Sequence, residues 1–273
     1  MDNYTLNFNQ LFKTTKLFDD YLKGNLNDLF RYDFTDSGNL EKVAHEINGK
    51  HIDQHLLYKV VSDGNKKFEP STKTLHNIEL LKQPETLCVF SSQQTGILGG
   101  PMLTIYKALT AVKLSEKCQQ ILKRPVVPCF WMATDDHDFE EVRYANFLQR
   151  DGEITTVSYN PLNAPSNTPI AEIVMDENVN KLLESVENSL IDTEFKQQLV
   201  NVLNEFYSPG RKLSEAFAML FYYFLGDWGI ILVDPNFLGM KESFRNVYSK
   251  EILHHDKTQQ LFKQRTELLL KNG

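Results

Sequence analysis

The sequence is short of positive charge. Against 36 acidic residues stand 29 Lys and Arg, for a net charge of −7. That balance disfavours a general nucleic-acid binder, although it leaves room for a local basic groove. Long apolar runs are missing as well: none approaches the roughly 20 residues needed to cross a bilayer. The opening stretch MDNYTLNFNQLF lacks the basic start and apolar centre of a secretory signal. Cysteine is scarce, and Cys88, Cys118 and Cys129 have no CxxC spacing. Two of them sit in apolar runs and read as small buried hydrophobes, and a reducing cytoplasm is the expected compartment. What is present, 41% apolar and 24% charged residues over 273 positions, is enough for a real core in one large α/β domain or two modest ones.

The chain reads as an α/β protein. Residues 1–84 form a helical lead-in, with apolar stripes at Leu17, Phe18, Tyr21 and Leu22 and at Leu40, Val43, Ala44 and Ile47. Further stripes run through Ile52, Leu56, Leu57 and Val60, and through Leu75, Ile78 and Leu81, with Gly24, Gly49 and Gly64 as breakers. His51 and His55 share a face at i, i+4, but no third ligand accompanies them, so a structural role is favoured. Residues 85–150 open a core of parallel strands. A first strand at Leu87–Phe90 runs into SSQQTGILGGP, and a helix is expected from Pro101, a residue suited to the first helical position. Met102, Ile105, Tyr106, Leu109 and Val112 fall on one stripe, which predicts the face packed on the sheet. Thr104 and Lys107 lie off that stripe. A second strand, VVPCFWMA at 126–133, looks buried on both faces. Residues 151–210 read as a connecting insertion, with strand-like runs at 154–159 and 170–174 flanking NPLNAPSNTP. Residues 211–250 return to the core through a helix at 213–225 and a third parallel strand, GIILVDP. Residues 251–273 are helical.

Chemistry gathers at the ends of these strands. Gly96, Gly99 and Gly100 match neither the P-loop nor the G-x-G-x-x-G fingerprint. They can make a plain strand-to-helix turn or an anion site at a helix N-terminus. Ser92, Gln93, Gln94 and Thr95 favour the second, being hydrogen-bonding side chains in succession where a turn needs one or two. The second strand ends in TDDHDFEE at 134–141, which allows three readings. Asp136 and Asp138 could offer oxygens to Mg²⁺ and His137 a nitrogen to Zn²⁺. His137 could act in acid–base chemistry, its proton favoured by flanking carboxylates. The cluster could also be a solvated helix start. Because carboxyl ends of parallel strands line one crevice, 91–100 and 134–141 are expected to be neighbours. Asp234 is either a site residue or a cap.

Together SSQQTGILGGP at 91–101, with Thr104 and Lys107 after it, and PCFWMATDDHDFEEV at 128–142 resemble the bacillithiol biosynthesis cysteine-adding enzyme family. DDYLKG at 19–24, FYSPGRKLSEAFA at 206–218 and LVDPNFLGMK at 232–241 add to the likeness, which runs in order along nearly the whole chain. Ser92 is a departure, since the family's loop usually opens with Gly before the Gln pair. The resemblance implies a Rossmann-like core related to nucleotidylyl transferases, with connecting insertions and a C-terminal coiled coil that supports homodimers. It also implies a cytoplasmic ligase that joins cysteine to glucosaminyl-malate by an amide bond. Family members are longer, so the chain reads as an N-terminal portion. Amide formation from a free carboxylate calls for activation, with ATP the expected cofactor and Mg²⁺ its optional companion. On that reading the loop from Ser92 to Gly100, with Thr104 and Lys107, binds the nucleotide. His137 is the candidate general base or phosphate contact, and Asp136 and Asp138 would hold the cysteine ammonium or a Mg²⁺ ion. Two alternatives remain: a pantothenate-synthetase-like enzyme for another acid and amine, and a non-catalytic nucleotide-binding scaffold.

Overall fold

A computed structural model of the protein describes residues 12–26, 29–33, 36–48 and 53–272. His51 and Ile52, singled out above, lie outside these residues, as does the first part of the opening stretch. The chain divides into two compact units, Met1–Lys50 with Phe244–Gly273, and His51–Ser243.

The first unit contributes α1 (Lys16–Leu22) and α2 (Asn39–Asn48). The Thr15 hydroxyl accepts the Phe18 N–H at 3.3 Å and so caps the start of α1. Gly24 follows its end at φ +71°, the left-handed stop that the sequence led one to expect.

The second unit begins with α3 (Gln54–Lys66) and α4 (Thr72–Leu80), capped by the side chains of Asp53 and Ser71. Gly64 was read as a breaker, yet α3 runs through it. A Cβ there would meet the Phe237 ring at 2.4 Å, so the glycine exists to let an aromatic ring lie on the helix. Next come β1 (Leu87–Gln93), α5 (Met102–Leu122) and β2 (Val126–Met132), a parallel βαβ unit in which Leu87 pairs with Val126 and Gln93 with Met132. Helix α5 corrects the expected stripe. Its buried residues are Thr104, Ala108, Ala111, Val112, Ser115 and Cys118, whereas Met102 and Tyr106 are exposed. A face of small side chains lets the helix axis approach the sheet closely, and bulkier residues are displaced from that contact.

After β2 come a short helix, α6 (Phe139–Val142), and an antiparallel hairpin of β3 (Tyr144–Leu148) and β4 (Ile154–Ser158). The run at 170–174 is not a strand. Ile170–Glu172 is a 3₁₀ turn, and only Val174 makes a bridge, to Lys212. Helices α7 (Asn178–Ser189) and α8 (Lys196–Phe206) complete the insertion. Its core is continuous with the glycine loop, because Ile97 packs in one cluster with Tyr159, Met175, Leu182, Leu203, Tyr207 and Leu220. The last two positions of interest for the sheet are α9 (Leu213–Leu225) and β5 (Ile231–Val233). Strand β5 pairs in parallel with β2, giving the order β1-β2-β5. Phe130 of β2 is fully buried against Phe217 and Phe221 of α9, and burial of one such ring is worth about 1.5–3 kcal/mol.

Strand β5 is an edge of the sheet, and its free side is satisfied by side chains. The Asn65 amide donates to the Leu232 carbonyl at 2.8 Å and to the Val61 carbonyl at 2.7 Å, while its oxygen accepts the Leu232 N–H at 3.3 Å. It imitates a neighbouring strand at one residue. Thr74 and Asn77 of α4 do similar work at the entrance to β5, donating to the carbonyls of Ile230 and Gly229. These bonds are why α3 and α4 belong with the sheet. The unit closes with α10 (Met240–Ser243), and α11 (Arg245–Leu253) and α12 (His255–Asn272) return to the first unit. There the Arg265 guanidinium donates to the Leu29 carbonyl.

Candidate ligand-binding site

Strand β1 hands over to its loop at Gln93, whose carbonyl accepts the Ala133 N–H at 3.2 Å. Buried Ile97 anchors the loop, and Leu98, Gly99 and Gly100 then take φ values of +56°, +87° and +74°. Such consecutive left-handed residues turn the chain sharply, and Leu98 carries a cost of about 1–2 kcal/mol for doing so. The fully buried phenol of Tyr207 lies beside the backbone of Leu98 and Gly99, and burial pushes its ionisation well up. Glycine is required by contact as well as by conformation. A Cβ on Gly96 would stand 3.1 Å from the Gly100 Cα, and one on Gly100 would stand 3.0 Å from the Thr104 hydroxyl oxygen. Pro101 precedes the helix by one position rather than opening it.

The two motifs meet through Gln94. Its amide nitrogen donates to Asp136 Oδ2 at 2.9 Å and to Glu141 Oε2 at 2.7 Å. Asp136 Oδ1 also accepts the Asp138 N–H at 3.1 Å. The Gln94 hydrogen bond first, then that of the Asp138 N–H, holds the Asp136 carboxyl below the usual carboxylate range. On the other side Lys107 donates to Gln93 Oε1 at 2.9 Å. The insertion pins the second motif by its backbone: Ile170 N–H donates to the Asp136 carbonyl at 2.8 Å and Ala171 N–H to that of Thr134 at 2.9 Å.

The remaining candidates fall in different places. Asp138 serves as the cap of α6, accepting the Glu141 N–H at 3.2 Å, which is the role of a solvated helix start. His137 is exposed next to it. Ser92 is exposed at the end of β1, and Thr95 is buried under the loop. The Gly96 and Gly100 N–H groups are already donated within the loop, to Gln94 and Ile97 carbonyls at 3.0 Å. They are therefore engaged before any phosphate arrives. Thr95 and Thr104 are fully buried with hydroxyls that have no partner among the described residues. Asp234 is buried and raised by that burial, and it accepts from the Thr134 hydroxyl and from the Asn236 N–H at 2.7 Å, tying the carboxyl ends of β2 and β5 together. Among the described residues, no three His, Cys, Asp or Glu side chains converge as a metal site.

Beside this network opens a cavity of about 600 Å³, within the usual range for small-molecule sites. Its polar lining comes from Gln93, Gln94, Glu141 and Asn146 with the backbone of Gly96 and Gly100, and its apolar lining includes Tyr144 and Phe147 of β3, Leu199 and Leu203 of α8, and Phe224 of α9. Sequence reasoning assigned no role to Glu141 within its acidic run. It also missed the wall supplied by the insertion, because only the fold folds α8 back over the loop.

These features define a Rossmann-like α/β domain with a small-molecule cavity at the carboxyl ends of its parallel strands. Residues 1–273 match the family described as "Bacillithiol biosynthesis BshC, N-terminal Rossmann-like domain". The chain belongs to that family. Curated relatives named "Putative cysteine ligase BshC" include the protein of Salinibacter ruber, 30% identical over 200 residues, or 73% of this chain and 36% of the relative. That of Desulforamulus reducens is 35% identical over 67% of this chain and 34% of its own length. That of Chloroherpeton thalassium is 27% identical over 92% and 47%. The chain thus spans between a third and a half of the length of these relatives. Among the described residues, no helix is long and apolar enough to cross a membrane.

Proposed function

We propose that this domain forms part of a cysteine ligase of bacillithiol biosynthesis, joining the carboxyl of cysteine to the amino group of glucosaminyl-malate in an ATP-dependent step. The observation that carries the reading is the Gln94 bridge, which sets the glycine loop and the acidic motif side by side at a cavity that Gln94 and Glu141 both line. The family's relatives, named for cysteine ligation, give the reaction class.

The residues present fit a nucleotide phosphate at the loop. The buried Thr95 and Thr104 hydroxyls of the loop lack partners among the described residues, and the Gly96 and Gly100 N–H groups would turn to a phosphate by leaving the Gln94 and Ile97 carbonyls. Lys107, now held by Gln93, would supply the positive charge. Bound there, ATP supplies the activation that makes the cysteine carboxyl electrophilic. His137 accepts the proton released as the acceptor amine forms its bond to that carbon. Asp136, kept ionised by Gln94, faces positive charge, either the ammonium of cysteine or a Mg²⁺ ion brought with the nucleotide. Asp138 acts by fixing the turn that presents His137. On this reading the full-length protein carries a C-terminal coiled coil, forms homodimers and acts in the cytoplasm.

The test is mass spectrometry of the full-length protein, with this domain in place, incubated with ATP, cysteine and glucosaminyl-malate. The expected product has the summed mass of the two substrates less one water, and His137→Ala abolishes it while circular dichroism stays unchanged. No product from folded wild-type protein contradicts the reading, and undiminished turnover in His137→Ala removes the histidine from the mechanism.

A further inference from the structure

We propose that Asp234 is a positioning residue for the ligand site: acting through Thr134, it sets where the acidic motif meets Gln94, by the placement of one oxygen and not by its charge. The consequence for turnover rests on the ligase reading above. Thr134 stands two residues past the end of β2 and is wholly buried, so each of its polar groups needs a partner. Its N–H donates to the Met132 carbonyl at 2.8 Å, which turns the chain at once, and its carbonyl accepts the Ala171 N–H of the insertion at 2.9 Å. Its hydroxyl donates to Asp234 Oδ1 and accepts from the Asn236 amide at 2.8 Å. Thr134 is thus held from three sides with no polar group left over.

The end of β5 supplies the side-chain half of that clamp. Val233 pairs with Trp131, so the next residue, Asp234, arrives at the carboxyl end of β2. A local turn then fixes the acceptor: the Asn236 N–H donates to the same Oδ1 at 2.7 Å, and the Phe237 N–H to the Asp234 carbonyl at 3.0 Å. Neither Asp234 nor Thr134 lines the cavity, so their influence on it passes through the main chain. Two residues after Thr134, Asp136 receives the Gln94 amide at 2.9 Å, and its carbonyl accepts the Ile170 N–H at 2.8 Å. Without the Asp234 bond the motif stays tied to the insertion at Ile170 and Ala171, but it loses its side-chain anchor on the sheet that carries the glycine loop.

The role needs an acceptor and no charge. Asp234 Oδ1 accepts two hydrogens, from the Thr134 hydroxyl and the Asn236 N–H, and the oxygen of a neutral amide accepts the same two. Burial raises the Asp234 carboxyl, which makes a charge at this place unfavourable in any case. Asparagine therefore preserves the clamp and alanine removes it. Thr134→Val removes the same bond from the other side while keeping the side chain's shape.

The test compares full-length wild type with Asp234→Ala, Asp234→Asn, Thr134→Val and the double variant Asp234→Ala/Thr134→Val, by amide hydrogen exchange and by turnover of ATP, cysteine and glucosaminyl-malate. In Asp234→Ala the Ile170 and Ala171 amides should exchange about tenfold faster, the size of one lost hydrogen bond. The Tyr207 amide, bonded to the Leu203 carbonyl within the same insertion, should keep its rate. The same variant should lose about tenfold or more in kcat/KM, since small misplacements of reacting groups are costly. Asp234→Asn should keep both the protection and kcat/KM. Thr134→Val should match Asp234→Ala, and the double variant should be no worse than either, because all three remove one interaction. Unchanged exchange at Ile170 and Ala171 in Asp234→Ala overturns the proposal, as do additive losses in the double variant or an Asn variant as impaired as the Ala one. Wild type that makes no product removes the ligase reading, and the exchange rates then decide the positioning by themselves.

Discussion

Replacing Asn65 by leucine removes the imitation strand at β5. In the wild type, the Asn65 side chain satisfies the Leu232 N–H, the Leu232 carbonyl and the Tyr222 hydroxyl, all buried. Leucine is near enough in volume to keep water out and offers none of these bonds. The Leu232 N–H keeps the Tyr222 hydroxyl as acceptor at 3.2 Å, but the Leu232 carbonyl and the Tyr222 O–H lose their partner at about 1–3 kcal/mol each, so the loss should be roughly 2–6 kcal/mol, a large part of a typical domain's 5–15 kcal/mol. Trp131 and Trp228 both lie in the His51–Ser243 unit, so urea unfolding followed by tryptophan fluorescence reports that unit alone. The midpoint should fall sharply with the slope unchanged. A loss below about 1 kcal/mol would refute the argument, because it would mean that β5 does not depend on side chains for its free edge.

Gly64→Ala should destabilise by about 1–3 kcal/mol despite alanine's better helix propensity, since its methyl would enter the Phe237 ring. A gain in the urea midpoint would show that the ring does not lie on the helix. Asp234→Asn tests a pH dependence. Burial raises the Asp234 carboxyl above its unfolded value near 3.9, so the native state favours its protonated form. Its contribution is then full below about pH 4 and is lost as pH rises through the raised value. The Asn variant should therefore gain on wild type between pH 4 and pH 7, and a constant difference in urea midpoint would argue against a raised carboxyl. Asp136 has the opposite sign: held low by Gln94, it contributes above about pH 4 and is lost as pH falls.

The parallel core was legible because β2 is an unbroken apolar run and β1 ends in small polar residues. The meeting of Gln94 with the acidic motif was likewise foreseeable, as both follow adjacent parallel strands. The packed face of α5 was misread because apolar size was taken as the signal. The contact instead uses Ala108, Ala111, Ser115 and Cys118, whose merit is smallness, while Met102 and Tyr106 stay exposed. Gly64 shows the same limit: a glycine needed for close approach looks in sequence like one that stops a helix. Glu141 and the cavity wall of α8 were hidden for another reason. Their roles come from contacts between residues 47 and more than 100 positions from the loop's Gln94, which no local pattern encodes.

On the proposed function, ligand binds where Gln94 lines the cavity. Thermal unfolding of wild type and Gln94→Leu with ATP, with cysteine and with both tests it directly. Wild type should gain Tm with the ligands, by about 2.7 kcal/mol of stabilisation at a hundredfold excess over Kd, and Gln94→Leu should lose most of the gain. Equal shifts in the two proteins, or no shift in wild type, would contradict it.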